Sequence, residues 1–138
     1  MKQYQKVIQI LFALIFIGGG LIHLVNGQLH PQSYVAFSKT ALFSWLSNLW
    51  ISFVMPNISW LTILLGIYEI LCGLGMIQKH TVIVAVWGMI IFLIFITILG
   101  YSFPTHSLIE DLLKNRLPTI IMIGLLIPIL IKQSKNNR

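Results

Sequence analysis

The sequence ISWLTILLGIYEILCGLGMI, residues Ile58 to Ile77, is long and apolar enough to cross a bilayer and yet carries Glu69 near its middle. About 20 apolar residues match the hydrocarbon thickness at the helical rise. A charged side chain at the bilayer centre costs at least ~2.5 kcal/mol on insertion scales. This segment therefore predicts a membrane helix in which Glu69 faces protein or water and not lipid.

Small residues share one face of this helix with the acid. Offsets of three, four and seven return to the same face of a helix, and that face carries Gly66, Glu69, Cys72, Gly73 and Met76. Small residues let membrane helices approach closely. We therefore interpret this face as the inner one and Gly66, Gly73 and Gly75 as helix-packing positions.

The composition is that of an integral membrane protein. Of the 138 residues, 57% are hydrophobic and only 9% are charged, whereas soluble domains average about 25% charged residues. The net charge of +6 comes from cations at the ends of apolar runs, which is typical of juxtamembrane segments and does not indicate nucleic-acid binding. The single Cys72 excludes an internal disulfide or a CxxC redox pair.

The apolar runs predict an all-α membrane four-helix bundle in a single domain, 1–138. The predicted spans are 7–25, 58–77, 81–101 and 117–131. The first run lacks a small-residue cleavage site and is too long for a signal peptide, so we expect an uncleaved span. Its glycines, Gly18, Gly19 and Gly20, predict a helix crossing at which a neighbouring helix packs closely.

The connection 26–57 predicts an amphipathic helix at the membrane surface between the first two spans. An Asn-Gly pair and a His-Pro pair break the first span. Aromatic and apolar residues then recur at helical spacing, namely Tyr34, Phe37, Ala41, Trp45 and Asn48. An extra span over 41–55 is the alternative, but about 15 residues give only ~22 Å of helix. Asn57 is the predicted N-cap of the next span.

The connection 105–116 predicts a polar, exposed loop. Ser107 and Glu110 match a capping box that would start a short surface helix, and Pro118 would begin the fourth span. His106, Glu110 and Asp111 lie close together in the sequence. A solvated charged loop explains these three residues without a metal.

The distribution of cations predicts a multi-pass membrane protein with both termini in the cytoplasm. We expect its location to be a bacterial plasma membrane. On the cytoplasmic side this orientation places Lys2, Lys6, Lys79, Lys132, Lys135 and Arg138. On the outer side it places Lys39, Lys114 and Arg116. The bilayer is thus the expected partner, and we also expect a homo-oligomer.

Candidates for a ligand or proton site are Glu69, His23, Tyr34 and Trp45. Intramembrane carboxyls commonly serve proton, ion or ligand sites, while His23 is read either as a hydrogen-bonded interfacial residue or as a proton-transfer group. If the helices run straight, the levels of His23 and Glu69 differ by roughly 12 Å at ~1.5 Å per residue. We therefore expect no direct contact between them, and expect Glu69 to lie level with residues 15–18.

The sequence lacks the motifs of several kinds of catalytic, metal and phosphate-binding site. There is no HExxH, no zinc-type Cys/His spacing, no GxSxG and no glycine-rich phosphate loop. A haem between two histidines is disfavoured, because His23 and His30 lie a turn and a proline apart and His80 is expected on the opposite side.

Three segments together resemble the DoxX-like family of small four-helix membrane proteins. These are LIFIGGGLIHL, HPQSYVAF and LLGIYEILCGLGMI, with Arg116-Leu117-Pro118 before the last span. In that family the first span tends to end in a glycine followed by a polar position, where His23 stands here. The second span carries an acid followed by glycines, which Glu69, Gly73 and Gly75 match.

The resemblance implies redox-linked membrane work, since some relatives are named as subunits of thiosulfate:quinone oxidoreductases. On this analogy the bundle would bind a quinone or dock a soluble or membrane redox partner, with Glu69 and His23 contacting protons or quinone oxygens. A second hypothesis is a small proton-coupled transporter or lipophile-binding protein that uses Glu69. A third is a non-catalytic membrane scaffold.

Overall fold

The computed structural model describes residues 2–136, and side chains are described for residues 3–132. Arg138 and the side chains of Lys2 and Lys135, which the orientation prediction uses, lie outside the described residues. Within residues 2–136 every regular element is helical and none is a strand. This confirms the predicted all-α fold class.

Residues 2–136 contain six α-helices and four short 3-10 or π segments. The α-helices are α1 Lys2–Leu29, α2 Ser44–Leu49, α3 Ile58–Ile77, α4 Val82–Leu99, α5 Leu108–Asp111 and α6 Leu117–Asn136. The 3-10 segments are Pro31–Lys39 and Met55–Asn57, and the π segments are Trp50–Val54 and Leu112–Arg116.

Four helical stretches are long and apolar enough to cross a membrane, which makes the chain a multi-pass membrane protein. They are Gln3–Leu29, Ser44–Ile77, Val82–Leu99 and Leu108–Lys132. The first, second and fourth are longer than the spans predicted from the sequence, because helix continues through residues that favour turns.

Pro118, which is predicted to begin the fourth span, and Pro56 both lie inside continuous helical stretches. A proline cannot donate a hydrogen bond to the carbonyl four residues earlier. In each case a π turn ends two residues before the proline, Trp50–Val54 before Pro56 and Leu112–Arg116 before Pro118. The wider turn replaces the missing bond with i to i+5 pairing, so the helix does not stop.

Asn57 does stand at the N-cap position of α3, as predicted. Its side chain makes no capping bond. The amide nitrogen donates to the carbonyl of Phe53 at 2.8 Å, and the amide oxygen accepts from the Trp60 indole at 3.0 Å. Asn57 therefore joins two helical segments on their outer surface.

The segment after α1 is not the single amphipathic helix expected over residues 34–48. α1 runs past Asn26 and Gly27, because Gly27 packs directly on Thr62 of α3 and this contact outweighs the local turn preference. The Pro31–Lys39 segment then ends, and Phe43 is extended. Residues 44–57 lengthen α3 rather than forming the extra span weighed above.

α1 and α3 pack backbone against backbone. A Cβ at Gly20 would lie 2.6 Å from the carbonyl oxygen of Gly66, and one at Gly66 would lie 2.7 Å from that of Gly20. Further along, a Cβ at Gly73 would lie 2.9 Å from the carbonyl oxygen of Ala13. Glycine on both helices allows this approach, so the helix expected against the α3 glycines is α1.

The remaining glycines that are predicted to pack helices have different neighbours in the structure. Gly19 faces Glu69, and Gly75 faces Ala85 of α4. Gly18 meets nothing within 4 Å. It lies on the other side of α1 from α3, so within a single chain it packs against no other helix, and its packing role stays a prediction.

The helices form an arc in the order α1, α3, α4, α6. The core between them is apolar and includes Phe12, Val86, Met89, Leu93 and Leu126. We call the end where α1 begins and α6 ends the terminal side, and the end with residues 30–43 and 100–116 the loop side. On the terminal side the Tyr4 hydroxyl donates to the carbonyl of Leu125 at 3.2 Å.

Replacing Gly20 with alanine should destabilise the bundle, whereas the same change at Gly18 should not. The new methyl group at residue 20 meets a backbone carbonyl, which cannot move aside, and overpacking costs typically about 1–3 kcal/mol. Gly18→Ala adds a methyl group in open space and gains helix propensity of up to ~1 kcal/mol. Unfolding of both variants in mixed micelles, followed by circular dichroism, measures the difference; equal stabilities would contradict the packing described.

Candidate functional site

A cavity of about 280 Å³ lies in the bundle beside Glu69. All four long helical stretches and the Pro31–Lys39 segment contribute to it. The lining residues are Ile15, Phe16, Gly19, His23, Phe37, Glu69, Phe92, Leu93, Ile96, Tyr101 and Met122. Most are apolar and four are aromatic, so the cavity is an apolar space with a polar group at one wall.

Glu69 is the polar group of this cavity, and one of its oxygens is unused. The residue is 3% exposed, and its Oε1 lies 3.6 Å from Nε2 of His23. Its Oε2 has no hydrogen-bond partner among the described residues. Buried polar groups in proteins are nearly always paired, so this oxygen is open to a hydrogen bond with a molecule bound in the cavity.

His23 and Glu69 are neighbours, which corrects the expectation that their depths keep them apart. Glycine packing places Gly20 level with Gly66, so the two side chains start about six residues, or ~9 Å, apart along the axis. Helical side chains lean toward their own N-terminus. Because α1 and α3 are antiparallel, those directions converge and close the gap.

His23 is held in place from its other ring nitrogen. Nδ1 lies 2.7 Å from the Tyr34 hydroxyl, and the carbonyl of Tyr34 accepts from the Trp50 indole at 2.8 Å. Burial, with the charge of Glu69 adding to it, raises the pKa of Tyr34 above its usual value. Tyr34 therefore stays neutral near neutral pH, and its hydroxyl either donates to or accepts from Nδ1 according to the histidine tautomer.

Of the four residues predicted for a ligand or proton site, three are linked by contacts in the structure and one is not. Glu69, His23 and Tyr34 form one chain of contacts. Trp45 is 63% exposed and stacks on Phe43, outside this group, so its role as a site residue stays a prediction. Trp50, five residues further along the chain, is the tryptophan that contacts this group, because its indole donates to the carbonyl of Tyr34.

The sequence does not predict most of the aromatic residues that line the cavity. The third span, 81–101, contributes no candidate site residue in the sequence analysis, yet α4 supplies Phe92, Leu93 and Ile96 to the cavity, and Tyr101 follows it. Phe37 had been placed on an amphipathic face with Tyr34, a helical-spacing signal that does reach the site. Nothing in the apolar sequence of α4 distinguishes cavity positions from lipid positions.

A second buried polar cluster lies on the loop side, where the sequence predicted an exposed loop. Arg116 is only 3% exposed. Its Nε donates to Asp111 at 3.2 Å, and its Nη1 donates to the carbonyls of Thr97 at 2.7 Å and Ile98 at 3.1 Å. Its Nη2 donates to the carbonyl of Thr40. The guanidinium thus binds the last carbonyls of α4, where a cation is favourable.

Asn115, the residue before it, is fully buried and holds the chain that leaves α4. Its amide oxygen accepts from the backbone N–H groups of Tyr101 at 3.1 Å and Phe103 at 3.0 Å. Between them Ser102 has a φ of 63°, an unfavourable conformation that persists only where its surroundings enforce it. The cluster thereby fixes Tyr101 against the cavity.

The polar side chains of the short helix α5 on the loop side make capping and backbone hydrogen bonds. The Ser107 hydroxyl accepts from the N–H of Glu110 at 3.2 Å, as the predicted capping box requires. The Glu110 carboxylate accepts from the N–H of His106 at 2.9 Å. In the part of the chain that the structure describes, no three His, Cys, Asp or Glu side chains are grouped as metal ligands are.

Comparison with protein-family models, with curated proteins and with solved structures finds no match to this chain. The resemblance to the DoxX-like family is therefore neither supported nor contradicted and stays a prediction.

Replacing Arg116 with glutamine should strongly destabilise the protein. Removing one partner of a buried ion pair typically costs about 3–5 kcal/mol, and here it also frees backbone carbonyls. The matched change Lys114→Gln removes an exposed pair with Glu110, which is worth at most ~1 kcal/mol. Chemical unfolding in detergent compares the two; a small loss for Arg116→Gln would show that the cluster contributes little.

Proposed function

We propose that the protein binds a lipid-soluble aromatic ligand of the quinol or quinone class within the membrane, with Glu69 and His23 exchanging a proton with it. The unpartnered Oε2 of Glu69, buried in an aromatic cavity, is the observation that carries this proposal. A quinol hydroxyl is the kind of donor that this oxygen lacks.

The cavity fits a ring-sized group. Ligand pockets of about 300–1,000 Å³ bury most of a drug-sized molecule, and this one, at about 280 Å³, lies just below that range. Phe16 and Phe92 pack edge to face with ring centroids 5.7 Å apart. Flat aromatic faces and edges favour an aromatic headgroup over an aliphatic one.

His23 gives the site a second proton-accepting group. Oxidation of a bound quinol by a redox partner would release a proton from the quinol hydroxyl to Glu69, and Nε2 of His23 lies 3.6 Å from that carboxylate. Histidine takes up and releases protons near neutral pH. The resemblance to the DoxX-like family implies the same pair of residues and adds a redox partner, to which a bound quinol would be presented.

Glu69→Gln should weaken quinol binding at least tenfold, equivalent to about 1.4 kcal/mol. The amide keeps the shape of the side chain but cannot accept a proton. The measurement is anaerobic calorimetric titration of the protein in nanodiscs with a benzoquinol. Glu110→Gln, which removes an exposed acid far from the cavity, is the matched control and should bind like the unaltered protein.

A second candidate function would show itself in the same experiment. Aromatic rings beside a carboxylate also suit an organic cation, as in a small proton-coupled transporter. Binding of tetraphenylphosphonium instead of quinol, with pH-driven flux lost in Glu69→Gln, would replace the quinol proposal. Binding of neither compound would contradict both and favour a scaffold.

We further propose a bacterial plasma-membrane location with both termini cytoplasmic and with the short helices of residues 31–49 at the outer surface. The positions of the cations support this orientation, since Lys6 and Lys79 lie on the terminal side and Lys39 and Lys114 on the loop side. Self-association into a homo-oligomer is part of the same proposal.

In a Cys72→Ala background, Lys79→Cys in intact cells should resist a membrane-impermeant maleimide, whereas Lys114→Cys should react. The reason is that the first thiol would face the cytoplasm and the second the exterior. Labelling is read by mass shift on gels, with permeabilised cells as the control in which both react. The reverse pattern in intact cells would overturn the orientation.

A further inference from the structure

The cavity reaches the surface of the bundle at Ile15, on the side where α1 and α6 are neighbours. We infer that the ligand is a tailed amphiphile whose ring occupies the cavity and whose apolar tail lies in the seam between these two helices. The inference rests on the proposed function and deepens it by naming the ligand's second part and its route from the lipid.

α1 and α6 are the two ends of the helix arc, and they are joined mainly on the terminal side. There the Tyr4 hydroxyl donates to the Leu125 carbonyl, and Lys132 donates to the Gln5 side chain at 2.7 Å. Elsewhere α1 packs mainly on α3, and α6 packs mainly on α4. The seam between α1 and α6 is therefore the weakest contact between neighbouring long helices.

Ile15 shows that the cavity reaches this seam. It is 43% exposed, and it is the one cavity-lining residue whose surface is largely exposed. Ile15 and Tyr4 are eleven residues apart, which is about 20° around a helix, so Ile15 lies on the face of α1 that turns toward α6. Met122, three residues before Leu125, is the lining residue from α6.

The loop side offers no comparable opening. Phe37 and Tyr101 line the cavity there, and both belong to segments that are tied down. Asn115 binds the backbone of Tyr101, and Arg116 binds the carbonyl of Thr40 just after the Phe37 segment. A ligand that reached the site from the loop side would have to break this buried network.

The seam fits a hydrocarbon chain better than a polar one. Ile15 and Met122 are apolar, and the cavity of about 280 Å³ holds a ring but not a long tail as well. α6 also has a weak point beside Met122, because Pro128 leaves the Gly124 carbonyl without its helical donor. A bend there would widen the seam without disturbing the core of α4.

The test compares a methylated benzoquinol with the same quinol carrying a ten-carbon chain, both bound to the full chain in nanodiscs. Concentrations are expressed per mole of lipid, so that partitioning of the tail into the bilayer cancels. We expect the tailed quinol to bind at least tenfold more tightly. Ile15→Trp should abolish that advantage by filling the seam, so that this variant binds the tailed and the tailless quinol with equal affinity.

Leu14→Trp is the matched control, since Leu14 is 66% exposed and does not line the cavity; it should keep the advantage of the tail. Equal affinities of the two quinols for the unaltered protein, or an intact tail advantage in Ile15→Trp, would overturn the seam inference and leave the proposed function standing. Failure of both quinols to bind the unaltered protein would instead refute the proposed function itself.

Discussion

The backbone contact between Gly20 and Gly66 is the constraint on which the site depends. It brings α1 and α3 closer than any pair with side chains at these positions could come, and it fixes the register between the helices. With that register, His23 and Glu69 lean toward each other and come within 3.6 Å. A slip by one helical turn would move them apart by about 5.4 Å, so the polar pair follows from a packing contact.

The sequence predicted the inner face of α3 well. All of Gly66, Glu69, Cys72, Gly73 and Met76 are buried, because an acid and small residues on one helical face have few stable places in a bilayer other than a helix interface. It could not predict that His23 meets Glu69. The predicted depths of the two residues depend on where their helices end, and both helices continue past the expected ends through Gly27 and Pro56.

Arg116 illustrates a limit of a different kind. A charged residue in a connection is normally solvated, and burial becomes favourable only when acceptors surround it. Those acceptors are carbonyls of Thr40, Thr97 and Ile98, which lie 76, 19 and 18 residues away in sequence. The residues close to Arg116 in the sequence therefore do not predict these distant carbonyl acceptors. The cluster is visible only once the loop side of the bundle has been assembled.

The buried ionisable side chains of Glu69 and Arg116 differ in a way that separates stability from function. The guanidinium of Arg116 is surrounded by acceptors, so its desolvation is offset within the protein and its loss would be felt in folding. Glu69 keeps an oxygen without a partner among the described residues, so part of its desolvation cost is offset only when a donor arrives. A fold that tolerates such a cost at the wall of a cavity is suited to binding a molecule that supplies the missing hydrogen bond.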